Sequence, residues 1–275
     1  MYKGERRNTG SPKGRCKVQN LQQTLHAKAK ESPEFRFYAL YDKIYRQAIL
    51  SHAYRLAHRN GGTPGVDGED FAGIEAYGVE RWLGELAKAL KEQRYRASPV
   101  RRVYIPKANG KQRPLGIPTI RDRVVQTAAV VVLSPMFEAD LEAEQYAYRE
   151  GRSAHDAVRH VHKLLTTGHT DVIDADLSGY FDSIPHAELI QSVARRISDR
   201  HILALIKQWL VVAVEEADGR GGCRRSTQAK DRKRGIPQGA PISPLLSNLY
   251  MRRFMLGWKT LGLEVRLQTR IVNFG

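Results

Sequence analysis

Residues 174–182 read Asp174-Ala-Asp-Leu-Ser-Gly-Tyr-Phe-Asp182, and the reading of this stretch decides the fold. Side chains alternate across a β-strand. In an extended run over 170–182, Asp174 and Asp176 therefore share one face, and Ile173, Ala175 and Leu177 share the other. Two carboxylates on an otherwise apolar strand are costly to bury unless a cation compensates them. A hard divalent ion does so well, because magnesium takes carboxylate oxygens together with substrate phosphates. Asp174 and Asp182 also suit plain structural roles, the first facing solvent on an edge strand and the second capping the helix that follows. Asp176 sits deeper in the run.

Outward from this strand the helical period dominates. Ser32-Pro33 opens a helix in which Phe37, Leu40, Tyr41, Ile44, Tyr45, Ala48 and Ile49 recur at helical spacing, until Asn60-Gly61-Gly62 stops it. A weaker helix carries Ile74, Tyr77, Trp82, Leu86 and Leu90, interrupted by glycines at 73, 78 and 84. Further helices are expected over Ile120–Leu133, ended by Ser134-Pro135, and over Ala154–Thr166. Others start near Ser183-Ile-Pro185, at Asp199 and at Ser243-Pro244, the last covering Leu245 to about Met255. Val100-Arg-Arg-Val-Tyr-Ile105 with Asn109-Gly110 reads as a β-hairpin over 100–117, and Val265 to Phe274 as the start of another strand. Residues 1–30 look like a basic, mobile arm. Helices interleaved with a few strands make an α+β body.

Charge points to a partner. Lysine and arginine number 45 against 29 acidic residues, a net charge of +16. An excess of this size opposes compaction unless it meets a polyanion, and nucleic acid is the commonest one. Ala128 to Leu133 is the longest wholly apolar run, too short for a bilayer span. No apolar leader follows Met1, and Cys16 and Cys223 cannot build a disulfide framework, so a reduced, cytoplasmic chain is expected. His155, His160 and His162 are spaced poorly for shared zinc ligation and read as helix-surface residues.

Two further segments carry chemistry. Lys107 and Arg113 flank the Asn-Gly turn and could oppose one another as a two-pronged anion clamp, although a basic hairpin is also a common way to protect a solvated edge. Pro237-Gln238-Gly239 is a tight turn feeding a helix N-terminus, where free N–H groups favour phosphate; an ordinary loop-to-helix junction has the same form.

Taken in order, these segments resemble the reverse transcriptases encoded by group II introns, the intron maturases. Tyr104 to Pro118 resembles the first fingers block, Tyr148 to Ala157 the second, and Asp174 to Ile184 the palm block bearing the first catalytic aspartate. Arg234 to Asn248 is similar to the block lining the nucleotide pocket, and Gly61 to Gly68 to the N-terminal extension shared with non-LTR elements. The resemblance implies the fingers and part of the palm of a right-hand polymerase, with helices packed on a small antiparallel sheet and no thumb. Its parts are an arm (1–30), a helical extension (31–99), fingers (100–169) and a partial palm (170–275).

By position, Asp176 would ligate Mg2+ with the carbonyl of Leu177 assisting, and Lys107 and Arg113 would hold the incoming triphosphate. Phe181 would reject a ribose 2′-hydroxyl, and Gln238 would touch the nascent base pair. The implied partners are an RNA template, an intron RNA above all, a DNA or RNA primer and dNTPs. Competing readings are a viral RNA-dependent RNA polymerase, a retron or diversity-generating relative, and a non-catalytic RNA-binding remnant.

The family's paired aspartates would follow Phe274-Gly275, which matches the first two letters of that motif. Two-metal phosphoryl transfer needs ions about 3.5–4 Å apart, which one carboxylate cannot hold. Losing about 4 kcal/mol of that stabilisation already slows the step roughly a thousandfold. The 275-residue chain alone is therefore expected to show negligible polymerase activity. Magnesium-dependent cDNA synthesis by homogeneous, sequence-verified chain is the measurement that would overturn this.

Overall fold

A computed structural model describes residues 12–106, 110, 112–218 and 222–274. In chain order the helices are α1 (Pro12–Glu31), α2 (Tyr41–Ile44), α3 (Gln47–Asn60), α4 (Phe71–Tyr77), α5 (Val79–Lys91), α6 (Ile120–Glu138), α7 (Ala154–Thr166), α8 (Tyr180–Ser183), α9 (His186–Ala194), α10 (Arg200–Leu210), α11 (Gln228–Arg232), α12 (Ser243–Thr260) and α13 (Leu263–Arg266). The strands are β1 (Val100–Pro106), β2 (Gln112–Ile117), β3 (Val214–Ala217) and β4 (Cys223–Ser226).

Helix α6 is the centre. Ile120, Val124, Val125, Ala128, Ala129, Val132, Leu133, Met136 and Phe137 are all buried, around most of the helix, and the side of Thr127, Val130 and Ser134 is partly open, so other elements must cover the rest. Helices α1, α2, α3 and α12 do so. The described part of the supposed mobile arm is thus corrected to a helix. Among its basic residues run Val18, Leu25 and Ala29, a narrow stripe at helical spacing that is buried in the core. Helix α6 also continues through Pro135 instead of stopping at Ser134. Proline lacks the N–H that would reach the carbonyl four residues back. That carbonyl, on Val131, accepts instead from Gln22 Nε2 on α1 at 3.1 Å.

No helix starts at Ser32-Pro33; residues 32–40 are irregular. The buried Arg196 guanidinium donates to the carbonyls of Ala29 (2.6 Å), Ser32 (2.9 Å) and Phe35 (3.2 Å) and to that of Pro33. Asp199 Oδ2 accepts from the N–H groups of Leu40 and Tyr41, at 2.8 Å each, while its Oδ1 caps α10. These bonds occupy backbone groups that a helix would have paired. The weak helix over 74–90 is broken into α4 and α5 at Gly78, whose φ is +103°.

The sheet has the order β2-β1-β3-β4. The hairpin over 100–117 forms as expected, with Arg113 opposite Ile105. The β1–β3 pairing is parallel, so the sheet is mixed and not wholly antiparallel. The Lys- and Arg-rich segment 222–234 supplies β4 and α11. The largest correction concerns 170–182. Residues 171–177 are irregular and Ile173 is 90% exposed, because among the described residues no strand lies beside this run to complete a ladder. Residues 265–274 likewise form no strand; α13 precedes a single bridge, Gln145 to Asn273.

Buried polar groups join the layers. Tyr95 donates to Asp122 Oδ1 (2.6 Å) and accepts from Trp209 Nε1 (3.2 Å), and Asp122 Oδ2 accepts from Ser98 N (2.9 Å). Burial pushes the Asp122 carboxyl above its ordinary range despite these donors. Arg123 reaches the carbonyls of Gly61, Thr63 and Pro118, which fastens the glycine-rich loop to α6.

At the other end Lys259 on α12 donates to Glu142 (2.8 Å) and Glu144 (2.7 Å). Burial raises the Glu144 carboxyl, but the Lys259 hydrogen bond and charge outweigh it and hold the group below 4.5. Lys259 is partly desolvated, yet the two glutamates raise it above 10.5. A depressed carboxylate stabilises the fold above its unfolded pKa, and that contribution is lost as pH falls through the folded value. The raised lysine contributes below 10.5 and loses its effect as pH rises through its folded value. Lys259→Met is expected to destabilise the protein by about 1 kcal/mol at pH 7, with the deficit shrinking below pH 4.5. Urea unfolding at pH 7 and pH 3 checks this; equal deficits at both would be the contrary result.

Candidate functional site

The turn Pro237-Gln238-Gly239 is held from three directions. Gly116 N on β2 donates to the carbonyl of Gln238 at 2.7 Å. Ile236 N donates to the carbonyl of Phe181 and Gly235 N to that of Ile184, each at 2.8 Å. Ser243 Oγ, at the start of α12, donates to the carbonyl of Pro237 at 2.7 Å. Gly239 has φ +102°, and a Cβ there would stand 2.8 Å from the Gly116 carbonyl oxygen. Left-handed backbone and close strand approach both demand glycine at this position.

This frame brings three side chains into line. Arg113 Nε donates to Gln238 Oε1 at 3.2 Å, and Gln238 Nε2 donates to Asp182 Oδ2 at 3.4 Å. Beside Asp182, the Phe181 ring meets Tyr148 edge-on (6.4 Å, 86°) and Tyr180 likewise (6.0 Å, 86°). Helix α12 sets both neighbours. Tyr180 donates to the Ser247 carbonyl at 2.8 Å, its hydroxyl pushed up by burial. Asn248 donates to the carbonyl of Ala147 at 2.6 Å and accepts from Gln145 at 3.2 Å, fixing the chain just before Tyr148, whose φ is +52°.

Of the residues singled out from the sequence, the structure assembles Arg113, Phe181 and Gln238. Lys107 lies outside the described residues, and the register sets Ile105 across from Arg113. Asp176 and Leu177 stand exposed on the irregular segment. Among the described residues no group of three His, Cys, Asp or Glu side chains is gathered closely enough to hold a metal ion. Asp182 caps no helix; Pro185 occupies the position before α9, and Asp182 turns to Gln238 instead. The α12 N-terminus is no open phosphate site, since Ile242 and Ser243 are buried and Ser243 N already donates to Ala240.

Two members of the cluster escaped the sequence reading, Tyr148 and Asp182. Tyr148 opens the 148–157 block, but nothing in that block reveals an aromatic partner 33 residues on, at Phe181. Asp182 is masked by the ordinary habit of aspartate to cap helices.

On a different face lies a cavity of about 620 Å³ lined by Tyr41, Arg96, His201, Gln208, Arg225 and Lys230 among others. Tyr41 and His201 rings lie 5.2 Å apart there. Among the described residues no helix is long and apolar enough to cross a membrane.

A family model described as "Reverse transcriptase (RNA-dependent DNA polymerase)" matches residues 105–267, the span that contains Arg113, Phe181 and Gln238. The chain is 39% identical over 244 residues to Protein YkfC of Escherichia coli (strain K12), covering 86% of this chain and 61% of that one. It is 32% identical over 218 residues to the group II intron-encoded protein LtrA of Lactococcus lactis subsp. cremoris, covering 78% and 34%. The chain thus spans less than two thirds of the length of these relatives. A solved chain of a partial Cas6-RT-Cas1--Cas2 complex shares the fold at TM-score 0.51 and 24% identity, over 86% of this chain and 36% of that one.

The fixed turn is open to test. Gly239→Ala forces a side chain into left-handed backbone and against Gly116, and is expected to cost about 3 kcal/mol. Gly257→Ala in α12 meets nothing within 4 Å and is expected to stabilise by up to about 1 kcal/mol. Denaturant midpoints of the two variants read both effects.

Proposed function

The chain belongs to the reverse transcriptase (RNA-dependent DNA polymerase) family, and from that premise we propose that the Arg113–Phe181–Gln238 cluster is the nucleotide site of a group II intron type enzyme. It would act in the cytoplasm on an intron RNA template and a DNA or RNA primer, in splicing and mobility of the intron. One observation carries the reading: segments far apart in sequence converge on a rigid turn, with the Arg113 side chain 3.2 Å from that of Gln238 and the backbone carbonyl of Phe181 bonded to the residue before Pro237.

The chemistry follows from the groups. Arg113 offers its guanidinium fork to triphosphate oxygens, with Lys107 as its partner by resemblance. The Phe181 ring, braced by Tyr148 and Tyr180, would by resemblance exclude a ribose 2′-hydroxyl. Gln238 presents a neutral amide to the base pair being formed, and a neutral donor–acceptor suits any of the four pairs. The excess positive charge and the basic, aromatic-lined cavity fit a polynucleotide partner.

The family works with divalent ions, and magnesium held by Asp176 and the Leu177 carbonyl belongs to this proposal by resemblance alone. The donor set as placed does not fit a metal centre: Asp176 is exposed, and no triad of ligands converges among the described residues. No chemical step is therefore derived through an ion. That same dispersal favours a second reading, a nucleic-acid-binding protein without synthesis.

Nucleotide retention on poly(rA)/oligo(dT) separates the two. The chain is expected to hold dTTP at least tenfold more tightly than UTP. Phe181→Val should erase that preference, and Arg113→Ala should weaken both nucleotides about tenfold, the loss of one charge-assisted contact. Steeply salt-dependent RNA binding with no dTTP preference would leave the second reading standing.

A further inference from the structure

The resemblance gives Asp182 no task, yet this exposed carboxylate ends a chain of polar contacts that begins on β2. A glutamine amide has an acceptor end and a donor end, and rotation by half a turn exchanges them. Arg113 Nε–H, a donor, faces Gln238 Oε1 at 3.2 Å, and Asp182 Oδ2, an acceptor, faces Gln238 Nε2 at 3.4 Å. In the reversed orientation donor would face donor and acceptor would face acceptor, so both contacts would be lost together.

The backbone leaves little else free. The carbonyl of Phe181, next to Asp182, is bonded to Ile236 N, and the carbonyl of Gln238 is bonded to Gly116 N. A Cβ on Gly235 would lie 3.4 Å from the Asp182 carbonyl oxygen, so the turn is seated directly on α8. With the three main chains fixed, the remaining freedom is the side-chain amide itself. We propose that Asp182 is a positioning residue: its carboxylate fixes the amide of Gln238, and through it the guanidinium of Arg113, in the orientation that receives a nucleotide. This rests on the reading of the cluster as a nucleotide site for its consequence, but not for the contact itself.

The choice of acceptor makes a graded expectation. Asparagine in place of Asp182 would keep one acceptor oxygen but could also present an amide donor; alanine removes the acceptor; a lysine would favour the reversed amide. Nucleotide retention should therefore fall in the order parent, Asp182→Asn, Asp182→Ala, Asp182→Lys, with Asp182→Ala about three- to tenfold weaker than the parent. Because Asp182 and Gln238 meet at the surface, thermal unfolding of Asp182→Ala should match the parent, which separates positioning from folding.

The test uses the full chain labelled with ¹⁵N at glutamine side chains, with the Gln238 amide signal identified by its loss in Gln238→Ala. In the parent, the two amide protons should be well separated and away from the values of a free glutamine; Asp182→Ala should return them to those values. An unchanged Gln238 signal in Asp182→Ala overturns the assignment of Asp182. A second arm measures dTTP on poly(rA)/oligo(dT) in a double-mutant cycle, where Asp182→Ala should have no further effect once Gln238→Ala is present. If Gln238→Ala weakens dTTP but Asp182→Ala does not, Asp182 has no positioning role and the nucleotide site stands. If Gln238→Ala leaves dTTP unchanged, the nucleotide reading of Gln238 falls, and the amide spectrum alone decides whether Asp182 orients it.

Discussion

A helix with little face for water constrains everything around it. Helix α6 buries apolar residues around most of its circumference, so a large part of the chain serves as its coat. It also carries Asp122 and Arg123 into that interior, and groups of this kind stay folded only with partners. Asp122 finds Tyr95 and Ser98; Arg123 finds the carbonyls of the loop after α3. Asp122 and Arg123 thus each fix a neighbouring segment, and the hairpin β1–β2, which lies between Ser98 and the start of α6, is anchored at both ends by the same few bonds. The site described above grows out of that hairpin through Gly116.

The polar motif that reads most loudly in the sequence is not the one the fold organises. Asp174 and Asp176 alternate as strand residues should, yet the segment stays irregular because a strand exists only by virtue of its neighbours. The quieter segment, Pro237-Gln238-Gly239, is where β2, α8 and α12 meet. Charge alone would have ranked these the other way round.

Legibility followed range. Signals that act within a few residues were readable: the β1–β2 ladder, the helix over Ala154–Thr166, the Asp199 start of α10 and the Pro244 start of α12. What escaped depends on partners far away in the chain. The irregular stretch over 32–40 owes its form to Arg196 and Asp199, more than 150 residues on. The helical part of the basic arm shows its apolar stripe only once α6 is there to receive it. In the site, Arg113, Phe181 and Gln238 could be named from motif position, whereas Tyr148 and Asp182 required knowing which loops face one another.

Pro135 illustrates how a defect in one element becomes an address for another. Its ring removes one rung from the ladder of α6, and the carbonyl so released on Val131 is taken by Gln22 of α1. Proline and glutamine therefore form a lock and its key, the glutamine standing 109 positions before the carbonyl that the proline frees, the apolar stripe of α1 supplying adhesion and this one bond supplying alignment. Replacing the proline alone would let the helix mend itself and turn the glutamine into a stranded donor; replacing the glutamine alone would strand the carbonyl. The two sites are coupled in any history the sequence can follow, and a change at one is tolerated most readily in the company of a change at the other.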